Sequence, residues 1–163
     1  TRGRRLPTEA GQAIRTCWKS ETADPQLRET AFKFWVSAID DLEALRSISV
    51  DHPQFKSVLR RRATLGDLST VLLIKPLVST DNHWFHVISK IWTEQFTDVL
   101  DDALLNLREH SPTDYTGGLT HTHYMLAELL RDIPPSKAQL FLSKHWDNLK
   151  FSRLFIQAAL YIG

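Results

Sequence analysis

Apolar side chains recur along most of this chain at the three- and four-residue steps of an α-helix. The densest stretch runs from Leu65 to Trp92, LGDLSTVLLIKPLVSTDNHWFHVISKIW, and reads as two helices folded back on each other. Ahead of it, Pro7 suits a first helical turn. Ala10, Ala13, Ile14, Cys17 and Trp18 then share one face, up to a stop near Ser20. Asp24-Pro25 pairs a cap with a residue that has no N–H to lose, and predicts a helix with Leu27, Ala31, Phe34, Trp35 and Ala38 turned inward. A short helix over Asp40 to Ile48 buries Leu42 and Leu45. Asp51-His52-Pro53 restarts the chain into a stripe of Phe55, Val58, Leu59 and Ala63.

Gly66 marks a helix end and Asp67 a new cap. Leu68 to Val78 is apolar at nearly every position. A strand over TVLLI competes with a buried helix here, and the helix is preferred because every neighbour is helical and no partner strand is present. Pro76 should kink or end it by crowding the Leu72 carbonyl. Thr80 or Asp81 caps the next helix, in which Trp84, Phe85, Val87, Ile88, Ile91 and Trp92 cover most of the circumference and predict enclosure. Phe96, Val99, Leu100, Ala103, Leu104 and Leu107 form a regular stripe that leaves Asp98, Asp101, Asp102 and Glu109 to water. SPTDYTGG, residues 111–118, reads as a loop. Leu119 to Ile133 returns to helix with Leu126, Leu129, Leu130 and Ile133 inside. Pro134-Pro135 forces a turn, and Ala138, Phe141, Leu142, His145, Trp146 and Leu149 make one more face. Ser152 to Ile162 is apolar nearly all round and expects a neighbour on each side. That apolar end, with Thr1 at the start, suggests a piece of a longer protein.

The pattern gives about ten helices with short links and no clear strand, which favours antiparallel neighbours. The fold expected is all-α: one domain over residues 1–163, with a mobile basic tail at 1–6, built of antiparallel helix pairs stacked as a short α-solenoid. An irregular orthogonal helical bundle is the alternative. One further observation bears on this choice. Asp24 to Ala31, DPQLRETA, resembles the Asp-Pro-x-Val-Arg-x-x-Ala pattern of HEAT repeats, and Gly66-Asp67 with the two following helices is similar to a HEAT-type pair. The resemblance covers roughly half of the chain. It implies a scaffold whose surface binds another macromolecule, or the sensor or spacer part of a large bacterial signalling protein. Pair lengths are irregular, and Trp and Phe stand where such repeats usually carry Leu and Val. No phosphate-binding loop is present.

Composition narrows the function further. The 20 basic and 19 acidic side chains nearly balance, which disfavours a dedicated nucleic-acid or membrane-surface binder. Cys17 is the only cysteine, so no internal disulfide and no cysteine metal cluster can form; a reducing, cytoplasmic setting fits. No apolar run reaches membrane-spanning length. The expected partner is a protein or another domain of the same chain, with no cofactor and no catalytic residue. The alternative is a helical-repeat nucleic-acid-binding or DNA-repair-type domain with a basic concave face.

Arg60, Arg61 and Arg62 form the strongest local charge cluster and motivate that alternative. Arg60 and Arg61 should point outward, either gripping phosphate or an acidic partner or merely solvating the helix. His121-Thr-His123 would hold zinc only with a third ligand, and otherwise solvates a helix start. His83 and His86 share a helical spacing compatible with metal, between bulky apolar residues that favour a packed or surface role. Asp40-Asp41 and Asp101-Asp102 point about 100° apart within each pair, so both read as solvated helix charges rather than acid/base pairs. Cys17 sits on an inner face as a small hydrophobe. Trp84, Trp92 and Tyr124 offer a third possibility, a ligand pocket in a helical bundle.

Overall fold

Every regular element of the computed structural model is helical, across the described residues 8–107 and 121–163. The basic tail, Pro7, Glu109 and the 111–118 loop lie outside the described residues. The chain divides into two compact units, Thr1–Asp67 and Leu68–Gly163.

The first unit contains α1 (Thr8–Lys19), α2 (Pro25–Ala38), α3 (Leu42–Arg46) and α4 (Phe55–Thr64). Local chemistry sets their starts. Asp24 Oδ1 accepts the N–H groups of Gln26 and Leu27 at 2.9 and 3.1 Å, and Asp41 Oδ1 does the same for Glu43 and Ala44 at 3.0 and 3.1 Å. Gly66 closes the last turn at φ +82°, a conformation that costs glycine little. The core gathers Phe32, Trp35, Val36, Leu45 and Val58, with Ile14, Trp18 and Phe55 against it. Trp18 meets Phe32 edge-on at 5.1 Å and lies 5.2 Å from Trp35. Cys17 is half-buried.

The inner face of α2 differs from the sequence expectation. Ala31, Phe32, Trp35 and Val36 are buried, whereas Leu27 and Phe34 are exposed, Phe34 by 62%. The run AFKFWV supports two overlapping stripes about 90° apart on a helix. The stripe that wins buries Phe32 and Val36 beside Trp35, and continues into half-buried Ile39.

The second unit contains α5 (Val71–Val78), α6 (Phe85–Ile88), α7 (Thr97–Asn106), α8 (His121–Asp132), α9 (Pro135–Leu149) and α10 (Arg153–Ile162). Short 3-10 turns at Leu68–Thr70, Asn82–Trp84, Ser89–Ile91 and Glu94–Phe96 extend the elements beside them. The segment around α6 is as enclosed as its composition predicts: Trp84, Phe85, Val87, Ile88 and Ile91 are all buried. Below them lie Phe96, Leu100 and Leu104 of the next segment and Leu126, Leu129, Leu130 and Ile133 of α8. Trp92 is half-buried, edge-on to Phe141 at 5.9 Å.

Two expectations fail here. The Leu68–Val78 stretch is not buried all round: Val71, Ile74 and Val78 are covered, but Leu72 is 73% exposed, and Leu68 and Leu73 also face solvent. The helix runs through Pro76, which has no N–H to give the Leu72 carbonyl, and ends two residues later. α10 likewise is covered on one face only. It packs on α8 and α9 through Phe155 and Ala158, and presents its other face to solvent. No described helix is long and apolar enough to cross a membrane.

Candidate functional site

The arginine cluster of α4 is built into the first unit. Arg62 turns inward, 8% exposed, and its Nε donates to Asp67 Oδ2 at 2.9 Å. Arg46 reaches the same carboxylate with Nη2 on Oδ1 at 2.9 Å and Nε on Oδ2 at 3.3 Å, and also pairs with Glu43 at 2.7 Å. The hydrogen bonds to Asp67, then to Glu43, raise the Arg46 guanidinium pKa beyond its ordinary value. Asp67 is thus the buried hub of α3 and α4. Arg61, expected to point outward, is half-buried, and its Nε donates to the Ile39 carbonyl at 2.7 Å. Arg60 alone of the three is exposed. This arrangement engages two of the three guanidiniums within the first unit.

In the second unit, Asp101 does not face water as its stripe position suggested. Its Oδ1 lies 2.7 Å from His145 Nε2, and its Oδ2 accepts from Lys144 Nζ at 2.7 Å. Burial alone would raise the Asp101 carboxyl, but the His145 and Lys144 bonds and the Lys144 charge outweigh it and hold it below its usual value. His145 is 3% exposed, so this pair ties α7 to α9 and is no open acid/base dyad. On the exposed side of α7, Asp98 is likewise held low, first by the hydrogen bond from Lys75. Asp102 diverges from Asp101, as the helical angle requires, and faces an open cleft.

That cleft, of about 530 Å³, is lined by Val78, Asn82, Phe85, Val99, Asp102, Asn106, Leu107, Thr122 and His123, among others. Its size falls within the ordinary range for small-molecule pockets. His123 lines it, and its ring lies 6.3 Å from that of Phe155. The pocket anticipated among Trp84, Trp92 and Tyr124 is not formed. Trp84 is fully buried, Trp92 packs between Phe96 and Phe141, and Tyr124 is exposed.

The four histidines flagged in the sequence are re-paired. His121 and His123 flank Thr122 but face different surroundings. His83 lies beside His121, with ring centroids 5.1 Å apart, and His86 is exposed on α6. Asn82 Nδ2 donates to Thr122 Oγ1 at 2.6 Å and joins the two segments. No group of three metal-ligating side chains occurs among the described residues.

The largest exposed apolar side chains cluster at the end of the second unit. On α10, Ile156, Leu160 and Tyr161 lie opposite buried Phe155 and Ala158. Leu160 is 78% exposed, Tyr161 74%, and Phe151 just ahead of the helix 80%. The same outward face carries Arg153 and Gln157, and α10 contains no acidic residue. Sequence reasoning located the apolar segment but not which half of it stays uncovered, since that depends on where α8 and α9 lie. The chain matches no family model, no curated protein and no solved structure.

Proposed function

We propose that the chain is a non-catalytic interaction module, built of helix pairs of HEAT-like type, whose outward α10 face receives an amphipathic helix of another protein domain. The carrying observation is that face: Ile156, Leu160 and Tyr161, with Phe151 beside them, present large apolar side chains to solvent next to one another. Exposed apolar residues grouped on one face mark association surfaces, whereas scattered ones do not. The charge pattern gives the occupant its chemistry. Arg153 is exposed on the face, α10 has no acidic residue, and Lys150 ahead of it already pairs with Asp147 at 2.7 Å, so the incoming helix carries an apolar stripe beside a carboxylate that meets Arg153. The Asp24-Pro25 start supports the HEAT-like reading, because its carboxylate caps α2 as that motif requires.

A library of helical peptides, each fused to the chain through a short flexible linker that keeps it at about millimolar effective concentration, tests this. Selection for resistance to proteolysis should enrich amphipathic peptides with an acidic flank. Their binding should disappear with Leu160→Glu and persist with Leu105→Glu, a change at an exposed leucine on α7. Enrichment indifferent to Leu160→Glu, or none at all, would sink the proposal.

A further inference from the structure

We propose that His83 and His121 form a two-nitrogen site for a transition-metal dication of the Zn²⁺, Ni²⁺ or Cu²⁺ type, with Asp81 as the positioning residue. The ring separation carries the argument. An imidazole nitrogen sits about 2.0–2.1 Å from zinc, which places each ring centroid about 3.2 Å from the ion and two tetrahedral ligands about 5.2 Å apart, centroid to centroid. The centroids of His83 and His121 are 5.1 Å apart, with planes inclined by 44°. That separation equals the spacing of two imidazoles on one ion.

Both ligands are held in place. Asp81 Oδ1 accepts the His83 backbone N–H at 3.0 Å and lies 2.9 Å from His83 Nδ1. A carboxylate on Nδ1–H fixes the ring and its tautomer, and leaves Nε2 with its lone pair available for metal. The His83 side chain is 66% exposed, so that nitrogen is accessible. On the other side, His121 opens α8, and its neighbour Thr122 is bonded to Asn82, the neighbour of His83. That hydrogen bond joins the two segments one residue away from each histidine.

The donor set decides the ion. Two imidazoles select borderline metals over Mg²⁺ or Ca²⁺, which need oxygen ligands. Two protein nitrogens leave the other coordination positions to water or to an outside donor, so the ion is exchangeable rather than structural.

Titration of the intact, tag-free chain with ZnCl₂ and NiCl₂, followed by calorimetry, tests the site. One ion per chain should bind, and MgCl₂ should give no heat. His83→Ala and His121→Ala should each weaken binding at least tenfold, while His86→Ala leaves it unchanged. Asp81→Asn keeps an acceptor for the cap and should weaken binding about tenfold to a hundredfold. Circular dichroism of each variant should match the parent. Zinc should also shift the imidazole NMR signals of these two histidines ahead of any others, a readout that needs no variant. Absence of binding, or retention of parental affinity in either single-histidine variant, would overturn the assignment.

Discussion

Asp67→Ala should destabilise the first unit by about 3 kcal/mol. Its carboxylate is 1% exposed and holds the Arg62 side chain, itself 10% exposed, and the Arg46 side chain, 42% exposed. Removing one member of a buried pair leaves the other charge uncompensated, at a cost of about 3–5 kcal/mol. Arg46 adds little to that figure, because it is partly solvated and retains Glu43; an exposed pair contributes about 0–1 kcal/mol. The lower end of the range therefore applies. Urea unfolding monitored by the Trp18 and Trp35 fluorescence reports the loss as a lowered midpoint at unchanged slope. Arg60→Ala, on the exposed position of the same helix, should change stability by no more than about 0.5 kcal/mol. A loss below about 1 kcal/mol for Asp67→Ala would refute the reasoning, since it would place the carboxylate among solvated surface pairs.

Three more expectations follow from the same contacts. Burial holds the His52 imidazole below its ordinary pKa, with Phe32 stacked at 4.2 Å and Nδ1 accepting the Gln54 N–H at 3.1 Å. The neutral ring is the folded form, so stability is complete above about pH 6.5 and declines as pH falls below it; a pH series of urea midpoints should show this limb, and His52→Leu should remove it. Asp101, held low, stabilises the second unit above its ordinary range, about pH 4, and loses that contribution on further acidification; Asp101→Ala should cost about 2 kcal/mol at neutral pH and flatten the acid limb. Leu104→Ala should cost about 3 kcal/mol in thermal or urea unfolding because its side chain is fully buried, and Leu105→Ala less than about 0.5 kcal/mol because its neighbour is 49% exposed; equal losses would contradict the α7 register.

Short-range chemistry was legible in the sequence and long-range pairing was not. Asp24 and Asp81 cap their turns through contacts two or three residues away, which a sequence displays directly. Asp41 caps α3, whereas the sequence pattern starts that helix at Asp40. The α7 stripe was regular enough to identify Phe96, Leu100 and Leu104 as core. In α2 the aromatic run offered two faces, and only packing in three dimensions chose between them. Arg60 to Arg62 looked like a surface patch because charge runs usually are. Arg61, read as outward, turns instead to the Ile39 carbonyl, and Arg62 turns inward where the Gly66 turn brings the Asp67 carboxylate back to α4. His145 with Asp101 and His83 with His121 come from different helical segments, and helical periodicity does not encode such a meeting.

The exposed α10 face sets a limit on how its partner arrives. Burying a large apolar side chain contributes about 1.5–3 kcal/mol, so Phe151, Leu160 and Tyr161 together supply about 6 kcal/mol, and half-covered Ile156 somewhat less than one more such chain. Association costs about 4–15 kcal/mol in lost translation and rotation before any side chain is ordered. The partner's own stripe contributes about as much again, but ordering side chains on both faces costs about 0.5–1.5 kcal/mol each and folding a free helix about 2–5 kcal/mol. The net for a lone helix is then near zero to a few kcal/mol, a dissociation constant of about 1 mM or weaker. A short flexible tether raises the effective concentration to about the millimolar range, enough to occupy such a site substantially. The face therefore suits a helix delivered by a neighbouring domain of the same polypeptide or by a partner already held elsewhere. A selected peptide added in solution should bind with a dissociation constant no tighter than about 0.1 mM, and fusion through a flexible linker should protect the α10 amides from hydrogen exchange. Submicromolar binding of the free peptide would show that more than this face is engaged, and would refute the tethered arrangement.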